Sequence, residues 1–144
     1  MIDYQDARYI VTEINRLPYY RRCIAEYKEK IDDLERQKSE LTMPSSPNGK
    51  EAIGDAKGNE VFDYTKVLID IIAKQDEVKQ EMYEYIWLLR KAERYYGQLT
   101  GSLESDFVVE YFQTKDKREL QRKFHIGNAY DRMIRITRSV ISKK

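Results

Sequence analysis

Apolar and aromatic residues recur at alternating steps of three and four along residues 61–99. This spacing averages three and a half residues, so it places one narrow stripe on a helix and keeps that stripe facing a partner. Gln75 is the only polar residue in the series. A helix of this length extends roughly 55 Å at 1.5 Å per residue, so the pattern predicts a rod. The stripe consists of Val61, Tyr64, Leu68, Ile71, Val78, Met82, Tyr85, Leu89, Ala92, Tyr96 and Leu99.

Two shorter helices are predicted before this rod. Residues 3–17 form an amphipathic pattern with Asp3 as the N-cap. Pro18 permits a helix start but not a helix interior, so we place a break between Leu17 and Pro18. The second helix covers residues 18–41 with the same heptad spacing. Its stripe is Ile24, Tyr27, Ile31, Leu34, Lys38 and Leu41.

Residues 42–60 are rich in Pro and Gly and lack periodicity, which predicts a mobile loop. A loop between two heptad helices indicates an antiparallel hairpin. The third helix is longer than the second, so its C-terminal half must pack on the first helix, on a second subunit or on the tail. A homodimer is the favoured interpretation.

Three short helices are predicted after the rod, over residues 103–112, 115–124 and 128–142. Gly97 and Gly101 are expected to close the rod, since glycine suits helix ends. The predicted fold is therefore all-α. Residues 1–100 form a long antiparallel coiled coil or helical hairpin that also oligomerises, and residues 101–144 form a small helix-turn-helix domain.

The charge distribution separates the tail from the rest of the chain. The net charge is +1, but residues 115–144 carry ten Lys or Arg against three Asp or Glu, a balance of +7 that leaves −6 elsewhere. Such asymmetry is typical of a tail that binds an anionic partner, commonly nucleic acid. A single Cys23, no signal-peptide pattern and no apolar run near ~20 residues favour a cytoplasmic protein without a membrane span.

Residues 119–127 have the rhythm of a helix-turn-helix, in which a charged helix ends at Phe124 and a short turn holds the aliphatic Ile126. In that motif the first helix braces on the backbone of double-stranded DNA while the second lies in the major groove. The expected base contacts come from the outward face of the last helix: Asn128, Asp131, Arg132, Arg135 and Arg138. The expected phosphate contacts are Thr114, Lys115, Lys117, Arg118, Arg122 and Lys123.

Residues 104–141 resemble the region-4-type helix-turn-helix of bacterial sigma factors, whose Glu-Ile-Ala-x-x-Leu-x-Ile-Ser pattern would match residues 119–127. Gln121 stands where that pattern has Ala, His125 where it often has Gly, and Asp131 where an apolar residue usually anchors the recognition helix. The whole chain resembles the small phage late-gene transcriptional regulators of the ArpU/RinA type. That resemblance implies promoter binding and activation of prophage genes in a bacterial host cell.

The residue content also bears on functions other than DNA binding. No enzyme, cofactor or metal site is expected, because His125 is the only histidine and the six glycines form no phosphate-binding loop. The acidic N-terminal segment is a candidate surface for host RNA polymerase. The alternatives are a small terminase-like DNA-packaging or assembly subunit, a coiled-coil adaptor that binds protein, and a solvated helix pair without a ligand.

Overall fold

The computed structural model describes residues 1–42 and 64–141, and within these residues it contains six α-helices and no β-strand. This confirms the predicted all-α fold. The predicted loop over 42–60 lies, beyond Thr42, outside the described residues, as does Val61. The helices are α1 (Tyr4–Asn15), α2 (Leu17–Thr42), α3 (Tyr64–Thr100), α4 (Ser105–Gln113), α5 (Lys117–Phe124) and α6 (Ala129–Val140).

The helix boundaries follow local chemistry, with two differences from the predictions. Asp3 caps α1 as expected, and its carboxylate accepts a 2.8 Å hydrogen bond from the amide of Asp6. The break falls at Arg16 rather than between Leu17 and Pro18, so proline is the second residue of α2, where its missing N–H costs nothing. Of the two glycines expected to close the third helix, Gly97 does not, because α3 continues through it to Thr100, whereas Gly101 directly follows the helix end.

The chain divides into two compact units, and each of them takes a part of both long helices. One unit contains residues 1–22 and 85–144, and the other contains residues 23–84. Neither unit ends at the expected boundary between residues 100 and 101. The difference arises because the N-terminal helix belongs to the same unit as the tail.

In the unit of residues 1–22 and 85–144, α1 packs directly against α6, while α4, α5 and α6 pack on one another. The helices share one apolar core. Its most deeply buried side chains come from α1, α3, α4, α5 and α6: Ala7, Val11, Leu99, Val108, Leu120 and Met133. The core orients α5 and α6, whose basic residues are the candidates for binding.

A buried carboxylate lies at the junction of α1 and α2. Glu13 is only 5% exposed, and it accepts a hydrogen bond from the Tyr20 hydroxyl. The Arg16 guanidinium lies 3.5 Å from the same carboxylate. Buried charge is tolerated only when it is paired and hydrogen-bonded, so these two partners explain how Glu13 remains inside an otherwise apolar helix face.

In the unit of residues 23–84, the predicted stripe of α3 is buried at Ile71, Val78 and Met82. Gln75, which interrupts the apolar series, is 4% exposed and stays in the stripe. Its amide donates a 2.8 Å hydrogen bond to a carboxylate oxygen of Glu35 on α2. This hydrogen bond lowers the pKa of Glu35. The polar residue is therefore satisfied inside the stripe rather than turned away from it.

Candidate nucleic-acid interface

Helix α5 is bounded by two side chains with defined roles. The Asp116 carboxylate accepts a 2.9 Å hydrogen bond from the amide of Arg118 and so caps the first turn. At the other end, His125 adopts a left-handed conformation with φ of 55°. This conformation lets the amide of Ile126 reach back to the carbonyl of Gln121 at 3.0 Å. Histidine thus performs the helix-ending role that glycine performs more often.

The turn between α5 and α6 is fixed by two side-chain hydrogen bonds. Gln121 accepts from the amide of Ala129 at 2.8 Å, which joins the body of α5 to the start of α6. Asn128 is the N-cap of α6 and accepts from the amide of Asp131 at 3.0 Å. Ile126 is half-buried and packs against the core from within the turn. These contacts hold the first turn of α6 in a defined orientation.

The side chains of α6 divide into a buried and an exposed arc. At about 100° per residue, Ala129, Met133 and Thr137 centre one arc, and all three are buried. The opposite arc carries Asp131 and Arg135, which are exposed. Arg132 and Arg138 lie at its two edges and are half-buried. The three arginines, spaced three residues apart, therefore share one arc of roughly 120°.

The two edge arginines are held by contacts within the unit. The Arg132 guanidinium lies 3.0 Å from a Glu104 carboxylate oxygen, and both side chains are partly exposed. Arg138 donates from Nε to the backbone carbonyl of Ile2 at 3.1 Å. Arg135 lies between them, and among residues 1–42 and 64–141 its guanidinium has no such contact. It is therefore the residue of this arc whose guanidinium is most available to a ligand.

Two of the expected phosphate contacts on α5 lie beside the start of α6. Gln121 marks the side of α5 that faces α6, and Arg118 and Arg122 lie about 60° and 100° around the helix from it. Both are exposed. Arg118 is 4.0 Å from Asp116, but its side chain is 89% exposed, and surface ion pairs of this kind contribute little. Lys115 is also exposed, while Thr114 is half-buried as the C-cap of α4.

The other two expected phosphate contacts are engaged within the protein. The Lys117 ammonium donates to the carbonyls of Tyr111 and Thr114 and lies 3.9 Å from the Tyr111 ring centroid. Burial lowers the pKa of Lys117. This lysine covers the carbonyls at the end of α4, a role that suits a cation at a helix C-terminus. Lys123 pairs with Glu110 of α4.

Sequence reasoning did not reveal three features of this surface. Two of them join different elements: the contact between Ile2 and Arg138, and the hydrogen bond from Ala129 to Gln121. The third is the capping role of Asn128, in which a polar side chain binds the local backbone. Only Asn128 carried a usable signal, because asparagine before a helical pattern is a preferred N-cap.

The described parts of the chain contain no group of three His, Cys, Asp or Glu side chains placed to hold a metal ion. Across residues 1–42 and 64–141, none of the helices combines the length and the apolar character that crossing a bilayer requires. The α5–turn–α6 segment carries exposed basic residues at Arg118, Arg122 and Arg135. Comparison of the chain with protein-family models, with curated proteins and with solved structures found no match.

Proposed function

We propose that this protein binds double-stranded DNA sequence-specifically, with α5 and α6 acting as a helix-turn-helix and α6 inserted in the major groove. The observation that carries this proposal is the exposed arc of α6, on which Arg135 lies between Arg132 and Arg138. A helix with side chains is about 10–12 Å wide and the major groove is about 12 Å wide, so the arc fits a groove floor.

The chemistry of the arc supports base recognition. Arginine presents two parallel N–H donors to guanine, and an exposed carboxylate such as Asp131 can accept from cytosine. Arg118 and Arg122 on α5 supply the positive charge that a bracing helix needs at the phosphate backbone. Lys117 and Lys123 contribute less to binding than the sequence alone indicates, because their ammonium groups already have acceptors within the protein.

A transcriptional regulator that acts as a dimer is the role we propose for this binding. The resemblance to phage late-gene activators supports it, as do the heptad stripes on α2 and α3, which are typical of helices that associate. In this proposal the acidic residues outside the tail, where the balance is −6, form the surface offered to RNA polymerase. The cytoplasm of a bacterial host cell is the corresponding location.

The test selects binding sites from a randomised duplex library and then measures affinity for the enriched sequence. We expect Arg135→Ala to weaken specific binding by roughly 1–3 kcal/mol and to relax preference at one base pair. Arg118→Ala should weaken binding to all duplexes and reduce the salt slope by about one. Arg21→Ala, which removes an exposed arginine from α2, is the matched control and should change neither.

The outcomes separate this proposal from its alternatives. A uniform loss across all sequences in Arg135→Ala would mean that this side chain contacts only phosphate, so sequence recognition through α6 would be wrong. If no duplex is enriched and low salt yields no binding, a protein-binding adaptor replaces the proposal. If DNA binds to an assembly of eight or more subunits, the packaging interpretation is favoured over the dimeric regulator.

A further inference from the structure

Helix α3 carries a second apolar face within the unit of residues 23–84. Ile69 is 59% exposed, Ile72 is 42% exposed and Tyr83 is 54% exposed in the described residues. Together with Asp76 and Lys79 they follow alternating steps of three and four. We call these five residues the outer face: Ile69, Ile72, Asp76, Lys79 and Tyr83.

The outer face is distinct from the buried stripe. At about 100° per residue its centre lies roughly 110° around the helix from Ile71, Gln75, Val78 and Met82. The buried stripe already has its contact with α2 through the hydrogen bond between Gln75 and Glu35. A second seam with heptad spacing fits the knobs-into-holes packing of a further helix. Large exposed apolar side chains grouped in this way indicate an interaction surface.

The charges in the outer face identify its occupant. Asp76 and Lys79 lie at its middle, with Ile72 before them and Tyr83 after them. A two-fold axis between residues 77 and 78 would place Asp76 opposite Lys79 of a second copy, and by symmetry the reverse. The same axis places Ile72 opposite Tyr83. The face is therefore complementary to itself when two helices run antiparallel, as an isologous dimer requires.

We infer that the outer face is a self-association surface, on which two copies of α3 pack antiparallel about this two-fold axis. A parallel, in-register pair would set Asp76 against Asp76 and Lys79 against Lys79, and like charges at a seam disfavour that pairing. The antiparallel pair sets opposite charges together twice. Polar residues in an apolar seam cost stability but fix the register and orientation of the helices.

Lys79 also lies near α2. The hydrogen bond from Gln75 lowers the pKa of Glu35 most, Lys38 follows, and the charge of Lys79 adds to the same shift. In the dimer the Lys79 ammonium acts on Asp76 of the second copy as well as on Glu35 of its own chain. This inference supplies the dimer of the proposed function with a specific surface, but it does not depend on DNA binding and is tested without DNA.

The first experiment exchanges the charges and measures mass by sedimentation equilibrium over a range of concentrations. We expect Asp76→Lys and Lys79→Asp each to raise the dimer dissociation constant at least about tenfold, because each sets like charges together at two places. The double variant restores opposite charges and should return the constant to near the wild-type value. Asp70→Lys and Lys74→Asp make the same changes on a different exposed side of α3 and serve as controls.

Circular dichroism of each variant separates loss of association from loss of folding. Because the charge of Lys79 also acts on Glu35 of α2, a double variant that fails to recover would report a weakened association with α2 in Lys79→Asp. In that case Asp76→Lys alone decides, since Asp76 is exposed and no hydrogen bond or ion pair joins it to α2 within the described residues. A monomeric wild-type protein, or dissociation constants unchanged in Asp76→Lys, would overturn the inference.

The second experiment tests the register by chemical cross-linking. Cys23 is half-buried and is first replaced by serine. In the proposed dimer, residues 72 and 83 face each other, whereas the two copies of residue 72 lie about 16 Å apart along the axis. A short bismaleimide should therefore join Ile72→Cys to Tyr83→Cys only when the two proteins are mixed. Cross-linking of Ile72→Cys to itself would show a parallel pair and contradict the inference.

Discussion

Removal of one buried side chain from the N-terminal helix should destabilise the basic tail, which lies more than a hundred residues further along the chain. Ile14 of α1 is 3% exposed and belongs to the same core as Met133 of α6. The variant Ile14→Ala removes three carbons. Transfer alone costs about 0.8 kcal/mol for each, and the remaining cavity adds to this, so we expect a loss of about 3 kcal/mol.

Hydrogen exchange measured by mass spectrometry reports this loss locally. A loss of about 3 kcal/mol raises the open population of the unit roughly 150-fold, so amides in residues 129–140 should exchange faster by about that factor wherever they exchange through unfolding of the unit. The thermal midpoint should fall by roughly 12–24 °C, at 4–8 °C for each kcal/mol in a domain of this size.

A matched variant distinguishes this effect from general destabilisation. Ile71→Ala makes the same chemical change at a buried position of α3 that is 8% exposed, in the unit of residues 23–84. It should leave exchange across residues 129–140 unchanged. If Ile14→Ala accelerated exchange only in residues 1–22 and left residues 129–140 protected, the tail would be an independent domain, and the assignment of α1 to its core would be wrong.

Three further predictions concern polar groups. Burial raises the pKa of Tyr111 to about 12 from 10.0. Between these pH values the folded state retains a proton that the unfolded state loses, so the free energy of unfolding falls as the pH rises. Denaturant unfolding should show a smaller fall in this free energy for Tyr111→Phe, and an unchanged fall for Tyr9→Phe. Gln75→Leu should increase the free energy of unfolding measured in urea by about 1 kcal/mol, since apolar residues suit the stripe, and should raise the pKa of Glu35 measured by NMR. Asn128→Ala should lower the free energy of unfolding by about 0.5–2 kcal/mol through loss of the cap. Asn128→Ser keeps the cap, so a loss of DNA affinity in the serine variant would report a base contact.

The local features of this fold could be predicted from the sequence because they depend on neighbouring residues. Helical periodicity identified six helices, and the capping preference of aspartate placed the start of α1 at Asp3. The helix boundaries were less accurate, since Gly97 is tolerated inside α3 at a cost of only about 1 kcal/mol. Tertiary contacts of the helix outweigh that cost, so a glycine near the end of a helix does not mark where the helix ends.

The partners of each apolar face could not be predicted in the same way. The pattern of Ala7, Ile10, Val11 and Ile14 shows that one face of α1 is buried, but it does not say which helix covers it. The same limit applied to the candidate site. Which side of α6 is exposed followed from its periodicity, whereas the ion pair of Arg132 with Glu104 depends on an approach between elements 28 residues apart.

The packing of α1 on α6 has a consequence for the proposed DNA contact. A recognition helix must keep one arc free, and here the width of that arc is set by α1 on one side and by Glu104 on the other. Arg138 is anchored by the carbonyl of Ile2, so this arginine reaches a base only if it exchanges a backbone acceptor for a nucleic-acid one. Arg135 faces no such exchange. Its removal should therefore affect recognition more than that of Arg138, although both carry the same charge on the same helix.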